Sequence, residues 1–464
     1  MRYLAEYDWL VVAFVHEITD SLDQTKDFVR QIEQAPHQPG SPVFLIKDEL
    51  VKSMHRPGGV VHEFVLHVEK LEWTPDGRQE FRPVPDLPIY NPDKHCWRKA
   101  FEYIYTRYRG KRNMLITLSH GAGLAINSDQ DRVARPNTTR MVSNPYYFLD
   151  RQDVDRLDLM SGEGMVIAPE LRDHIRRGEL PKTDGDKQCR SLNVLWIYEL
   201  VDALELYLPG DTIDLLLMVN CNMQLFDASY MLSRKVDYLV APEGSISAPG
   251  YDYQRLFTRL SQRPDIPCTE LVRAIVEDYR LLTAEDGFTS LFGNYLKPFP
   301  ALVEVFRSFV ALVVSRMEEM IGGLEDIRNH QMEIVSRSGA FTVDFQDQVD
   351  LSLWVKLVAK AYTSMPQLTD LQQAMERLRN TIVHDNVVGQ SFLDHDAMTN
   401  KKLGYSGVSI FYPDTTESWP VPATGWCVYF NGKIPDTFKT RSGWGLFLTK
   451  YFDLVGRTGL NRGL

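Results

Sequence analysis

The chain has 464 residues, 44% of them apolar and 24% charged, with a net charge of −11. That composition is ordinary for a globular protein and excludes a wholly disordered, collagenous or coiled-coil chain; the length fits roughly two to four domains, or one large domain with insertions. The acidic balance argues against a nucleic-acid partner, since non-specific binders carry a basic excess.

The first apolar run, at residues 9–15, follows Glu6 and Asp8. It lacks the basic start and small-residue cleavage site of a signal peptide. No uncharged apolar stretch reaches the ~18 residues of a membrane span. The expectation is a cytoplasmic protein with no membrane partner. Cys96, Cys189, Cys221, Cys268 and Cys427 are scattered, odd in number and without a C-x-x-C pair. This pattern suits reduced thiols better than a disulfide framework or a cysteine-rich zinc site.

Five short runs rich in Val, Ile and Leu read as strands buried on both faces: 10–16, 42–47, 113–119, 213–219 and 236–241. Helical periodicity fills the intervals at 21–34, 95–109, 191–208 and 223–233. Strands alternating with helices predict an α/β fold, an open and mostly parallel sheet with helices on both faces, over residues 1–255. Residues 256–394 read as mainly helical, with one long amphipathic helix at 303–328 and others at 351–362 and 369–383. Residues 395–464 return to strands, at 407–412 and 425–430, before a last helix at 444–454, and are expected to complete the core. Residues 176–190 and 412–424 read as exposed linkers, the first dense in charge with Gly and Pro.

Two constellations follow buried strands. Ser119, His120, Gly121, Ala122 and Gly123 come directly after the 113–119 run. A histidine at the carboxyl end of a parallel strand stands where open α/β sheets place their sites, and glycines let backbone N–H groups approach an anion. A turn with a surface histidine is the plainer alternative. Asn220, Cys221, Asn222 and Met223 follow the 213–219 run and are expected to open a helix, whose dipole favours a thiolate. A buried core cysteine is the alternative here. Together the two motifs favour chemistry: if their strands are neighbours, a thiol and an imidazole emerge from one sheet edge, as nucleophilic catalysis requires.

Rival motifs fail on spacing. Residues 404–408 read GYSGV and miss the serine-hydrolase elbow at its last position. His62 and His67 are one position too far apart for a zinc-peptidase helix. No Walker A or dinucleotide fingerprint occurs, and 161–165 (SGEGM) reads as a loop.

Residues 213–253 resemble the clostripain family of cysteine peptidases, relatives of caspases, gingipains and legumains. The resemblance rests on Cys221, Met223, the strand Tyr238, Leu239, Val240, and the segment Pro249, Gly250, Tyr251, Asp252, Tyr253. It extends to His120, Gly121 and Gly123, and to the glycine-led run 407–413. It implies a caspase-like sandwich, Cys221 as nucleophile, His120 as acid and base, and backbone N–H groups of Gly121 and Cys221 as the oxyanion site. The substrate would be a protein or peptide, with no metal and no cofactor; no calcium-loop motif is present. The family usually carries an acid two residues before the cysteine, which helps select Arg or Lys at the cleaved bond. This chain has Val219 there, leaving Glu243 or Asp252 as candidate substrate-binding acids. The interval between the two motifs is long and contains 176–190, where cleavage by the enzyme itself or an activating protease would turn a zymogen on; a regulatory protein is the other implied partner. A second reading is a catalytically silent caspase-like scaffold that binds partners.

Overall fold

The computed structural model describes residues 6–16, 22–36, 41–56, 59–85, 87, 96–121, 125–127, 194–244, 246, 250–284, 290–337, 348–388, 406–412 and 438–458. The candidate linker at 176–190, the 161–165 loop and the 425–430 run lie outside these residues.

In chain order the strands are β1 Glu6–His16, β2 Val43–Arg56, β3 Gly59–Trp73, β4 Gln79–Pro83, β5 Arg109–Leu118, β6 His120–Gly121, β7 Ala125–Asn127, β8 Val194–Trp196, β9 Ile213–Val219, β10 Val236–Pro242, β11 Ser290–Tyr295, β12 Gln348–Asp350, β13 Val383–Val388 and β14 Ser409–Phe411. The helices are α1 Leu22–Gln34, α2 Cys96–Arg107, α3 Ile197–Tyr207, α4 Phe226–Leu232, α5 Tyr253–Gln262, α6 Cys268–Leu282, α7 Phe299–Ser315, α8 Met317–Arg337, α9 Leu351–Ala361, α10 Pro366–Ile382, α11 Phe438–Arg441 and α12 Trp444–Thr458.

Nine strands form one sheet in the order β13-β11-β10-β9-β5-β1-β2-β3-β4. The inner five, β10, β9, β5, β1 and β2, are mutually parallel. They correspond to the five apolar runs. On β1, Leu10, Val12 and Phe14 face one core, while Trp9, Val11, Ala13 and Val15 face the other. The period-2 alternation of a strand therefore feeds two apolar layers, which is why the run is apolar throughout. Each such side chain contributes roughly 1.5–3 kcal/mol on burial. The outer strands β3, β4, β11 and β13 each pair antiparallel with the neighbour on their inner side.

Helices α1, α5 and α6 cover one face through Phe28, Ile32, Leu256, Phe257, Leu271 and Ile275. The other face is covered by α2, α3 and α4, and by the later helices α7 to α10 and α12, around Phe226, Phe306, Trp354 and Trp444. The stretch 256–394 is mainly helical, yet it also supplies β11 and β13, which extend the central sheet. The single helix expected at 303–328 is two helices broken at Arg316. The apolar stripe runs across the break, with Val313 and Met317 both fully buried, so periodicity alone does not reveal it. Among the described residues no helix is long and apolar enough to cross a membrane.

Candidate active site

The two singled-out motifs meet. Strands β5 and β9 are parallel neighbours in a register that runs from Met114 opposite Leu215 to Leu118 opposite Val219. One step further, the Ser119 N–H donates to the Val219 carbonyl at 3.4 Å. His120 and Cys221 thus leave the sheet side by side at its carboxyl edge. The edge lies beside the point where strand order reverses, since the chain runs outward from β1 to β2 and returns to β5 on the other side of β1. Open α/β sheets bind ligands at such a reversal.

Gly121 explains the closeness. A Cβ built on it would collide with the Cys221 carbonyl oxygen and stand 2.8 Å from both the Cys221 nitrogen and Asn220 Cβ. Only a residue without a side chain lets the two loops touch backbone to backbone. His120 and Gly121 form β6, which pairs with β7, itself paired with β8, as a small separate sheet.

Cys221 is half-buried and in no disulfide, and its Sγ accepts the Ile246 N–H at 3.5 Å. An N–H dipole aimed at sulfur complements the charge of a thiolate. The expectation that the cysteine opens a helix is corrected: α4 begins only at Phe226. Asn222 has φ +59°, a left-handed conformation that Asn tolerates and a helix does not. The N–H groups that follow are bound elsewhere, Asn222 to the Gly244 carbonyl at 2.7 Å and Met223 to Pro242 at 3.1 Å. The turn is held by the next loop rather than by a helix start.

Beneath this turn lies a buried polar network. Gln224 Nε2 donates to the carbonyls of Ala241 (3.2 Å) and Phe292 (2.9 Å), and its Oε1 accepts from Asn294 Nδ2 at 2.9 Å. Asn294 also donates to the Gly407 carbonyl at 2.8 Å, and the Ser409 N–H donates to the Gln224 carbonyl at 2.9 Å. The strand β14 is thereby fixed beside the cysteine turn. Sequence reasoning misses Gln224, Asn294 and Asn220 as site residues. Asn220 alone carries a signal, its place next to the cysteine.

Glu243, which is buried, and Asp350, which is half-buried, form a carboxyl pair. Glu243 is 2% exposed, and its Oε2 accepts the Gly407 N–H at 2.7 Å. Burial, and then the nearby Asp350, push the Glu243 carboxyl well above the usual carboxylate range. Asp350 is also raised by burial, and it accepts the Leu353 and Ser406 N–H groups at 2.7 Å each. The surroundings of Glu243 therefore favour its protonated form. Asp252 caps α5, accepting the Arg255 N–H at 2.9 Å and pairing with the Arg255 guanidinium at 3.2 Å. The two acids named as candidates for a substrate's cation thus make contacts within the fold, Glu243 with Gly407 and Asp252 with Arg255. Val219 is buried against Gly250, whose φ is +87° and whose added Cβ would stand 2.8 Å from Val219 Cγ1. Tyr251 ties the same segment to the sheet, its hydroxyl donating to the Met218 carbonyl at 3.1 Å. Among the described residues no group of three or more His, Cys, Asp or Glu is placed to hold a metal ion.

A thiol and a histidine-bearing loop stand at adjacent strand ends of an α/β sandwich. The model of the clostripain family matches residues 185–436, more than half of the chain and including Cys221; the chain belongs to that family, and the family match makes it a cysteine peptidase. His120 precedes the matched stretch. No curated protein sequence matches the chain. Among solved structures, the fold is similar to that of an inactive zymogen C11 protease from Parabacteroides distasonis, with 12% identity, 94% of this chain and 98% of that one covered, and a TM-score of 0.52. It is also similar to a secreted C11 cysteine protease from Bacteroides thetaiotaomicron in complex with an irreversible peptide inhibitor, with 12% identity, 95% and 100% covered, and a TM-score of 0.53. At such identities the likeness is one of fold.

Proposed function

We propose that the chain is an endopeptidase in which Cys221 and His120 act as a dyad on protein or peptide substrates. The observation that carries this reading is the backbone contact of Gly121 with Asn220 and Cys221 across two adjacent strand ends. The Cys221 thiolate attacks the scissile carbonyl carbon, and the N–H groups of Gly121 and Cys221 stabilise the oxyanion. The imidazolium of His120 gives its proton to the leaving amine as the C–N bond breaks. His120 then takes a proton from water, which attacks the thioester and releases the acid and the thiolate.

The reading includes a preference for Arg or Lys before the cut, on the family resemblance and the net charge of −11. It includes a cytoplasmic location, on the scattered, odd-numbered cysteines of the sequence, which cell fractionation tests. It also includes restraint relieved by cleavage within 176–190, on that segment's polar, glycine-containing composition. A peptide-library cleavage profile with Cys221→Ala as control tests activity and preference together; no Cys221-dependent cleavage sinks the reading. Mapping new N-termini in incubated wild-type and Cys221→Ala protein tests the processing. A wild-type chain that stays intact and fully active refutes it.

A further inference from the structure

Asn220 spends both ends of its side chain on the neighbouring motif. Its Oδ1 accepts the buried Thr117 hydroxyl at 2.5 Å, and its Nδ2 donates to the Ser119 carbonyl at 2.9 Å. Thr117 lies near the end of the strand that leads to His120, and Ser119 immediately precedes it. Asn220 is fully buried, and its Cβ lies against Gly121. One amide therefore clamps the backbone on the near side of His120 and packs against the far side, while its own chain continues into Cys221.

We infer that Asn220 is a positioning residue that sets the separation of His120 from Cys221 through Thr117 and Ser119. The inference rests on the dyad reading above. An amide suits the task because it offers one acceptor and one donor in a fixed plane, matching one hydroxyl and one carbonyl. An alanine removes the acceptor of the buried Thr117 hydroxyl and the amide donor to the Ser119 carbonyl, and an aspartate sets a carboxylate against the Ser119 carbonyl. A misplacement of about 1 Å at a reacting centre costs on the order of 100-fold in rate.

The test uses Asn220→Ala, Thr117→Val, Thr117→Ser and His120→Ala in the full chain. Active-site titration counts the competent molecules, so loss of folded protein is separated from loss of rate. Turnover on a cleaved peptide is measured with the pH profile of alkylation by iodoacetamide. In Asn220→Ala, kcat per titrated site is expected to fall on the order of 100-fold with KM held, and the alkylation profile to move to higher pH as the imidazolium leaves the thiolate. Thr117→Val removes one bond and moves both readouts the same way by less; Thr117→Ser restores them. Wild-type kcat and profile in Asn220→Ala, while His120→Ala loses both, overturn the inference and leave the dyad standing. A His120→Ala protein that behaves as wild type overturns the dyad and the inference with it. Should Asn220→Ala fail to fold, Thr117→Val decides: an unmoved kcat and profile overturn the inference.

Discussion

The parallel strands end in different chemistry at their two edges. At the amino edge, beside the buried Lys235 and Asn113, three ion pairs lie near the surface: Lys111 with Asp8 at 2.9 Å, Arg109 with Asp211 at 3.4 Å, and Lys297 with Asp237 at 2.7 Å. At the carboxyl edge the polar groups are bound and mostly buried: Asn220, Gln224 and Glu243, which lies beside Asp350. Exposed pairs are screened by water and salt and tolerate drift. A buried amide left without its partner costs about 1–3 kcal/mol, so it fixes position. The edge that must hold two loops in register is built from the second kind.

The comparison breaks first at the dyad. Cys221→Ala and His120→Ala are each expected to lower kcat by roughly 10⁴-fold or more, with thermal stability little changed because both lie in strand-end loops. Wild-type cleavage by either variant removes the carboxyl edge as the site. Gly121→Ala comes next. Its Cβ meets backbone of Cys221 rather than a flexible side chain, so the loops must separate. A loss on the order of 100-fold in kcat is expected, read by peptide cleavage per folded molecule. Unchanged turnover would mean that the contact has no part in the chemistry.

The sequence made the centre of the sheet legible and hid the network beneath the site, for a physical reason. Residues 213–219 are apolar because both faces are buried, and the same holds for the other four inner strands. The outer β11 reads SLFGNY: Ser290 and Asn294 are polar yet buried, because the Ser290 hydroxyl accepts the Gly244 N–H at 2.9 Å and Asn294 binds Gln224 and Gly407. Those partners lie 46 to 113 residues away in the chain, so no local pattern announces them. His120 and Cys221 were legible because each closely follows an inner strand. Glu243 and Asp252 were recognised as acids, but their engagement by Gly407, Asp350 and Arg255 depends on the fold.

A subtler contrast is in pH. The Glu243 carboxyl is raised in the folded protein, so folding favours its protonated form. That contribution is complete below the unfolded value and declines as pH rises from about 5 towards the folded value, where the native state holds a proton the unfolded chain has lost. Asp350 is raised as well and the two titrate as a pair. Glu243→Gln keeps an acceptor for the Gly407 N–H and a donor for Asp350 without ionising. Its thermal midpoint is expected to fall less than that of wild type from about pH 5 upward. Parallel midpoint curves for the two proteins would show that the pair holds no shared proton.

The smallest effect on turnover is expected at the amino edge, from Lys235→Met. The Lys235 ammonium donates to the Leu208 carbonyl at 2.7 Å and the Asp211 carbonyl at 2.9 Å, closing the turn between α3 and β9. Methionine keeps the apolar stem and removes the donors, so two carbonyls lose a charged partner. A stability loss of about 1–3 kcal/mol is expected, measured by denaturant unfolding. Strand β9 has seven residues, which at ~3.3 Å each separates that turn from Cys221 by about 20 Å. Asn220 and Cys221 lie just beyond the far end of that strand, so kcat per titrated site should hold. A variant that stays folded but loses turnover would mean that the two edges are coupled, and that the division between a stabilising end and a positioning end is wrong.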